Sequence, residues 1–284
     1  MSAVRVAPVR VATGTLADDW RAVKVVWKRE LIRFRRNKPR IVTSLAQPVL
    51  FLFVLGTGLS HLLPGGSGVD YRTFMFPGVI SMTILFTAIF SAVSIVWDRE
   101  FGFLREMLVA PSRRWAIMVG KAAGGATVAT MQGVIILALA GTVHVPYSPA
   151  LMLTLLGEMA LAAFMLTSFG LMLASRIRSV ESFQVVMQLF VLPMFFLAGA
   201  VFPLTGLPAW LAVLTRFDPL AYAVGPMRHA VFAHASLSPA VAAQLNTSIT
   251  WNGWPLPDAL ALALVALAGV ALLGVAIVRF SKTD

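Results

Sequence analysis

The sequence predicts an all-α membrane protein of six transmembrane helices, and three observations carry that expectation. Of its 284 residues 58% are hydrophobic and 12% charged, with a mean hydropathy of +0.84, so there is too little polar surface to coat a water-soluble globule. Six apolar runs reach the roughly 20 residues that a helix needs to cross the hydrocarbon core. Eleven of the 23 Lys and Arg residues lie in the first forty positions, ahead of the first run, and most of the rest flank other runs. The net charge of +11 is thus distributed as membrane topology, not as a nucleic-acid groove. With no cysteine in the chain, disulfides and thiolate metal sites are excluded and the redox compartment stays open.

Residues 1–17 read as a flexible tail. Residues 1–20 contain Arg5 and Arg10 but no continuous apolar segment of the kind a signal peptide needs. An amphipathic helix is predicted next, over 18–38. Trp20, Val23, Trp27, Leu31 and Phe34 recur at spacings of three and four and form one apolar stripe, with Arg21, Lys24, Lys28, Arg29, Arg35 and Arg36 on the other sides. Asp18 or Asp19 caps its start and Pro39 stops it. Two Trp on the stripe and a dense basic face suit the headgroup layer, so the helix is expected to lie in the membrane interface. The competing reading is a helix docked on its own protein.

The transmembrane region is expected over 41–279, with spans at 41–63, 75–97, 115–143, 150–175, 183–203 and 258–279. The third and fourth are separated only by "HVPYSP", whose two prolines interrupt the helical pattern. An even number of spans puts both termini on one side. If that side is cytoplasmic, twenty Lys and Arg lie inside against Arg72, Arg216 and Arg228 outside, which predicts a multi-pass cell-membrane protein with cytoplasmic termini.

Between the second and third spans, Phe101, Leu104 and Leu108 form an apolar ridge with Asp98, Arg99, Glu100, Arg105 and Glu106 around it, and Pro111 ends the segment. A solvated loop could carry the bases for topology alone. The three acids are not required by topology, however, and mixed charge around an apolar ridge suits a protein partner. Between the last two spans, residues 204–235 are fairly apolar but carry Pro208, Pro219 and Pro226, too broken for a regular span.

These motifs together resemble the ABC-2 type permeases, the membrane subunits of a class of ABC exporters. Arg99-Glu100-x-Gly102-x-Leu104-Arg105, followed by Pro111, Arg113 and Gly120-Lys121, is similar to the family's "RE…G…L…P…GK" segment. Gly199, Phe202, Pro203, Leu207, Pro208, Pro219, Tyr222 and Arg228 match its "G…FP…LP…NP…Y…R" region, with Asp218 where Asn is more usual. The resemblance implies that 98–111 is a coupling helix seated in a groove of a separate ATP-binding subunit, with Arg99, Glu100, Gly102, Leu104, Arg105, Glu106 and Pro111 at the contact. It further implies that the N-terminal helix braces that contact and that 204–235 forms short helices re-entering the outer leaflet. Two copies of a P-loop ATPase and a second permease, identical or a sister chain, would complete the assembly. ATP and Mg would bind the ATPase only. In this chain the one Gly-Lys pair, Gly120-Lys121, has Trp115 where a P-loop needs its first Gly and Ala122 where it needs Ser or Thr.

Glu158 is the one acid placed well inside a span, a candidate proton relay or contact for a cationic substrate. Gln188, with Gln47, Gln132 and Gln184, could line a pathway or join helices. Gly120 and Gly124 suggest a close helix approach. Ser67 in "GGSG" with His61 formally matches an intramembrane serine protease, but its Gly-rich setting reads as a turn. His144, His229 and His234 have no acidic cluster beside them in sequence, and no metal site is expected. The resemblance implies export of a drug, antibiotic or lipid, with a polysaccharide as the alternative. An ion-coupled transporter would instead predict paired intramembrane charges and internal repeats, of which the sequence has one acid and no clear repeat.

Overall fold

The structure, a computed structural model, describes residues 15–59, 71–101, 113–204, 207–235, 249–251 and 254–282. Helix α1 (Leu16–Arg36) begins one turn before the expected cap. Thr15 is the N-cap: its hydroxyl accepts from the Asp18 amide at 3.3 Å, while Asp18 Oδ2 accepts from the Thr15 amide at 3.0 Å, a reciprocal capping box. The Thr15 hydrogen bonds hold the Asp18 carboxyl below its ordinary value. Asn37 breaks the helix, and its side chain accepts from the Arg40 amide at 3.3 Å to start α2 (Lys38–Leu50), so Pro39 sits in a first turn, where its missing N–H costs nothing. Past Pro48, α2 runs through one π turn, Phe51–Leu55, into Gly56–Gly58.

Four further long helices follow: α3 (Tyr71–Glu100), α4 (Arg114–Leu137), α5 (Pro149–Ala174) and α6 (Val180–Leu197). Two short ones, α7 (Ala209–Phe217) and α8 (Ala221–His234), occupy the broken segment between α6 and the last long helix, α9 (Asp258–Ser281). A two-stranded hairpin that the sequence reading did not anticipate, β1 (Thr250–Trp251) against β2 (Trp254–Pro255), precedes α9.

Five of these helices, Lys38–Gly58, α3, α5, α6 and α9, are long and apolar enough to cross a membrane. Helix α4 is not among them. Its 24 residues would rise about 36 Å, but Lys121, Gln132 and a run of small residues make it less apolar. It is nonetheless an inner element, packed against α1, α3 and α5.

Helix α3 is the centre of the bundle. It is buried on all sides by α2, α4, α5, α6 and α8, which accounts for its nearly unbroken run of buried side chains. Helices α2, α6 and α9 keep broad exposed apolar faces, among them Val185, Leu189 and Leu192 on α6.

The expected fifth span, 183–203, ends six residues early. Gly199 adopts φ +69°, a left-handed conformation that stops the helix, and a Cβ there would stand 2.7 Å from Leu204 Cγ.

Candidate functional site at the α1 end of the bundle

Helix α1 lies along α4. Its buried positions are Asp19, Val23, Val26 and Glu30, spaced four, three and four apart, and so they form one stripe down one face. Glycine lets the backbones meet. A Cβ on Gly120 would stand 2.8 Å from Val26 Cβ and 2.9 Å from the Val23 carbonyl oxygen, and one on Gly124 would stand 2.8 Å from Glu30 Cβ. The indole N–H of Trp27 donates to Thr127 Oγ1 at 3.1 Å. Of the apolar stripe read from sequence, Val23 is buried, Trp27, Leu31 and Phe34 are half-buried, and Trp20 remains 62% exposed with its ring edge-on to Trp115. The seam is therefore rotated from that stripe toward two acids.

Both acids have partners. Asp19 is fully buried and is no cap: its Oδ1 accepts from the Arg113 amide at 3.0 Å, and Arg113 Nε lies 3.5 Å from Oδ2. Glu30 joins a four-residue network across three helices. Lys121 of α4, 2% exposed, places Nζ 2.8 Å from Asp98 Oδ2 of α3, 3.4 Å from Glu30 Oε1 and 2.8 Å from Ser94 Oγ. Arg29 Nη2 reaches Asp98 at 3.0 Å and Glu30 at 3.7 Å. Two bases and two acids thus lock α1, α3 and α4 together where burial makes an unpaired charge costly.

Arg99 and Glu100, the first two residues of the expected coupling motif, turn to the connection between α5 and α6. The Arg99 guanidinium donates to the carbonyls of Ile177 at 2.9 Å, Ser175 at 3.3 Å and Ala174 at 3.4 Å, satisfying acceptors left over at the C-terminus of α5. Glu100 Oε2 accepts from the Val180 amide at 2.8 Å, a negative charge on the positive end of α6. The end of α3 therefore holds the ends of two neighbouring helices. Gly102, Leu104, Arg105, Glu106 and Pro111 lie outside the described residues, as do Ser67 and His61.

At the far end, the residues matched between 199 and 228 come together. Arg228 is 1% exposed, donates from Nη2 to the Gly199 carbonyl at 2.5 Å and places its guanidinium carbon 4.3 Å from the centre of the Phe74 ring. The Tyr71 hydroxyl donates to the Val201 carbonyl and the Tyr222 hydroxyl to that of Arg216, at 2.8 Å in the second case. Phe202, Pro203 and Pro219 are half-buried and Pro208 is exposed. Asp218 Oδ1 accepts from the Leu220 amide at 3.0 Å, but burial outweighs that bond and pushes the carboxyl up to about 8. Burial thus favours the neutral acid at Asp218, which like the Asn more usual in the resembling motif carries no charge.

The other residues singled out are scattered. Glu158 is buried on α5 with Oε2 lacking a hydrogen-bond partner among the described residues. Gln188 is exposed on α6. Gln132 joins helices: its oxygen accepts from Thr87 of α3 and its nitrogen donates to Ser44 of α2. His229 does find an acid across the fold, with Nδ1 2.6 Å from Asp258 Oδ1 at the start of α9.

Sequence reasoning passed over Glu30 and took Asp19 for a candidate cap. The signal that could have found them is their register, in line with Val23 and Val26 at helical spacing.

A profile of the ABC-2 type transporter family matches residues 21–232, from the second turn of α1 to the end of α8. A protein of Escherichia coli K12 named "Probable multidrug ABC transporter permease YbhR" is 30% identical over 191 residues, 66% of this chain. The match spans about half of that relative's length, 49%. Nodulation protein J of Rhizobium leguminosarum bv. viciae is 30% identical over 216 residues, covering 74% of this chain and 81% of the relative. The same-named protein of Rhizobium meliloti strain 1021 is 27% identical over 224 residues, 75% of this chain and 81% of its own. With the family profile running from α1 to α8, through both ends of the helical bundle, the chain belongs to the ABC-2 type transporter family.

Proposed function

We propose that this chain is the membrane-spanning permease of an ABC exporter, with α4 as a sixth span beside the five apolar helices and with the α1 end in the cytoplasm. ATP is hydrolysed by a separate P-loop subunit, present in two copies, and a second permease completes the transmembrane unit. The coupling segment, 98–111, leaves α3 at Glu100 and would sit in a groove of the ATPase. Movement of that subunit would pass through it into the bundle.

One observation carries this reading. The segment emerges where Lys121, Asp98, Glu30 and Arg29 lock α1, α3 and α4 together and where Arg99 and Glu100 hold the ends of α5 and α6. A push on the base of α3 would therefore reach five helices rather than one. A soluble-side loop serving topology alone has no use for such bracing.

The substrate is proposed to be hydrophobic or amphipathic, a drug, antibiotic or lipid moved outward. The word "multidrug" in one relative's name supports it. A polysaccharide is the alternative and would favour a continuous aromatic lining; of the phenylalanines, Phe86 and Phe90 stack on α3, Phe183 and Phe195 are buried inside the chain, and Phe190 and Phe196 face out from α6.

Mild-detergent affinity purification of the tagged chain, with mass spectrometry of what accompanies it, tests the proposal. The expected result is a stoichiometric P-loop subunit that is lost when Glu100 and Arg105 are reversed in charge. Recovery without any ATPase, repeated after crosslinking in intact membranes, would overturn it and favour an ion-coupled transporter.

A further inference from the structure

A cavity of about 530 Å³ opens beside the charged network, walled by the end of α1, the start of α2, one face of α3 and Val128 and Gln132 of α4. Its volume falls within the roughly 300–1,000 Å³ of small-molecule sites. The lining is graded. Arg33, Asn37 and Arg40 stand where α1 passes into α2; Ser44, Gln47 and Gln132 lie farther along; Phe86 and Phe90 form an apolar wall, their rings stacked 6.4 Å apart.

The charge at the mouth is unbalanced. Glu30 also lines the cavity, but Lys121 and Arg29 neutralise it at 3.4 and 3.7 Å. Neither Arg33 nor Arg40 has an acid within ion-pair distance among the described residues. The Arg33 guanidinium is instead held over the Trp97 ring, its carbon 4.9 Å from the ring centre, which fixes it without neutralising it. The first turn of α2, starting at Asn37, adds the positive end of a helix dipole to the same rim.

We propose that this cavity binds an amphiphile with an anionic head group, the head at Arg33 and Arg40 and the apolar body along Phe86 and Phe90. A cationic amphiphile would meet two guanidinium groups that have no acid at ion-pair distance among the described residues, and a purely apolar one would cover them without supplying a counter-charge. The inference deepens the exporter reading, on which it rests for placing the mouth at the inner leaflet, where anionic amphiphiles accumulate from lipid or from the cytosol. Two sources share this chemistry, an anionic phospholipid and a free amphiphilic carboxylate or phosphate.

The test uses the full chain alone in nanodiscs of zwitterionic lipid, without an ATPase. The probes are a dibrominated fatty acid added from solution and brominated phosphatidylglycerol or phosphatidylcholine built into the disc. Bromine quenches nearby indoles, and subtracting the signal of a Trp97→Phe variant isolates Trp97. Saturable quenching of Trp97 by the fatty acid, by phosphatidylglycerol or by both is expected, with phosphatidylcholine well behind; which anionic probe acts identifies the source. Arg33→Gln with Arg40→Gln should weaken binding on the order of tenfold, while the two Lys variants stay within a few-fold. Thr43→Phe, at an exposed lining position bonded only to its own helix, should block the mouth in a chain of unchanged thermal stability. Equal quenching by phosphatidylcholine, or an affinity untouched by both the double Gln variant and Thr43→Phe, would overturn the proposal. Either outcome leaves the exporter reading to its own test, since no ATPase takes part.

Discussion

At the α1 end of the bundle, Lys121 and Arg29 are packed against Asp98 and Glu30 within 2.8–3.7 Å, base against acid across three helices. At the far end, Arg228 and Asp218 are as deeply buried as Lys121 and Glu30, Arg29 being more exposed, and they lie against a carbonyl, an aromatic ring and a backbone amide. Removing a member of the first set strands an opposite charge. Removing Asp218 leaves the Leu220 amide without its acceptor, and removing Arg228 leaves the Gly199 carbonyl without its donor. The two ends should therefore respond to substitution with different magnitudes and different pH dependence, even though both clamp helices that are distant in sequence.

The largest effect is expected for Lys121→Met. It leaves Glu30 and Asp98 facing each other with Arg29 alone and should cost about 3–5 kcal/mol, read as a large drop in thermal midpoint of the purified chain. Adding Asp98→Asn should restore about 1–2 kcal/mol of that loss, and a strictly additive double variant would refute the network. Arg228→Met keeps an apolar stem against Phe74 and leaves the Gly199 carbonyl unmet, for a smaller cost of about 1–3 kcal/mol. If it exceeded the Lys121 variant, the comparison would be inverted.

Asp218 supplies the pH signature. Its carboxyl is raised to about 8 when folded, against the ordinary value of 3.8, so between those values the folded chain holds a proton that the unfolded chain has lost. Stability should fall as pH rises through that window and level off above it. Asp218→Asn should flatten that component; an unchanged pH profile would show that Asp218 ionises normally. The smallest effect is expected for Glu100→Ala, which deletes a helix cap worth about 0.5–1 kcal/mol but should abolish the link between transport and ATPase activity in the assembled complex. Normal coupling in that variant would make Glu100 a cap and nothing more.

Much of this architecture was legible because it is local. Helical periodicity placed α1 within a few residues, and the apolar runs placed the long helices from α2 to α9. What escaped was non-local. Asp19 read as a candidate cap and Glu30 was passed over, because nothing in α1 alone reveals Lys121 or Arg113, more than ninety positions away. Trp20 read as part of the apolar stripe, yet the seam belongs to the smaller Val23 and Val26, which Gly120 accepts at close range, while Gly124 makes room for Glu30. Arg99 and Glu100 read as an outward docking surface, and their inward hydrogen bonds became visible only once α5 and α6 were brought alongside. The early end of α6 at Gly199 depended on one backbone angle that no apolar pattern reports.

The π turn at Phe51–Leu55 gives α2 one residue more per turn than the helix on either side. If that turn tightened to ordinary α geometry, the part of α2 beyond Leu55 would swivel by about 100° against the part before Phe51 and travel about 1.5 Å along the axis. A single-residue slip of this kind is a screw motion. It would turn Gly56, whose missing Cβ makes room for the Arg72 side chain, away from α3 while the half of α2 that walls the cavity stayed in place.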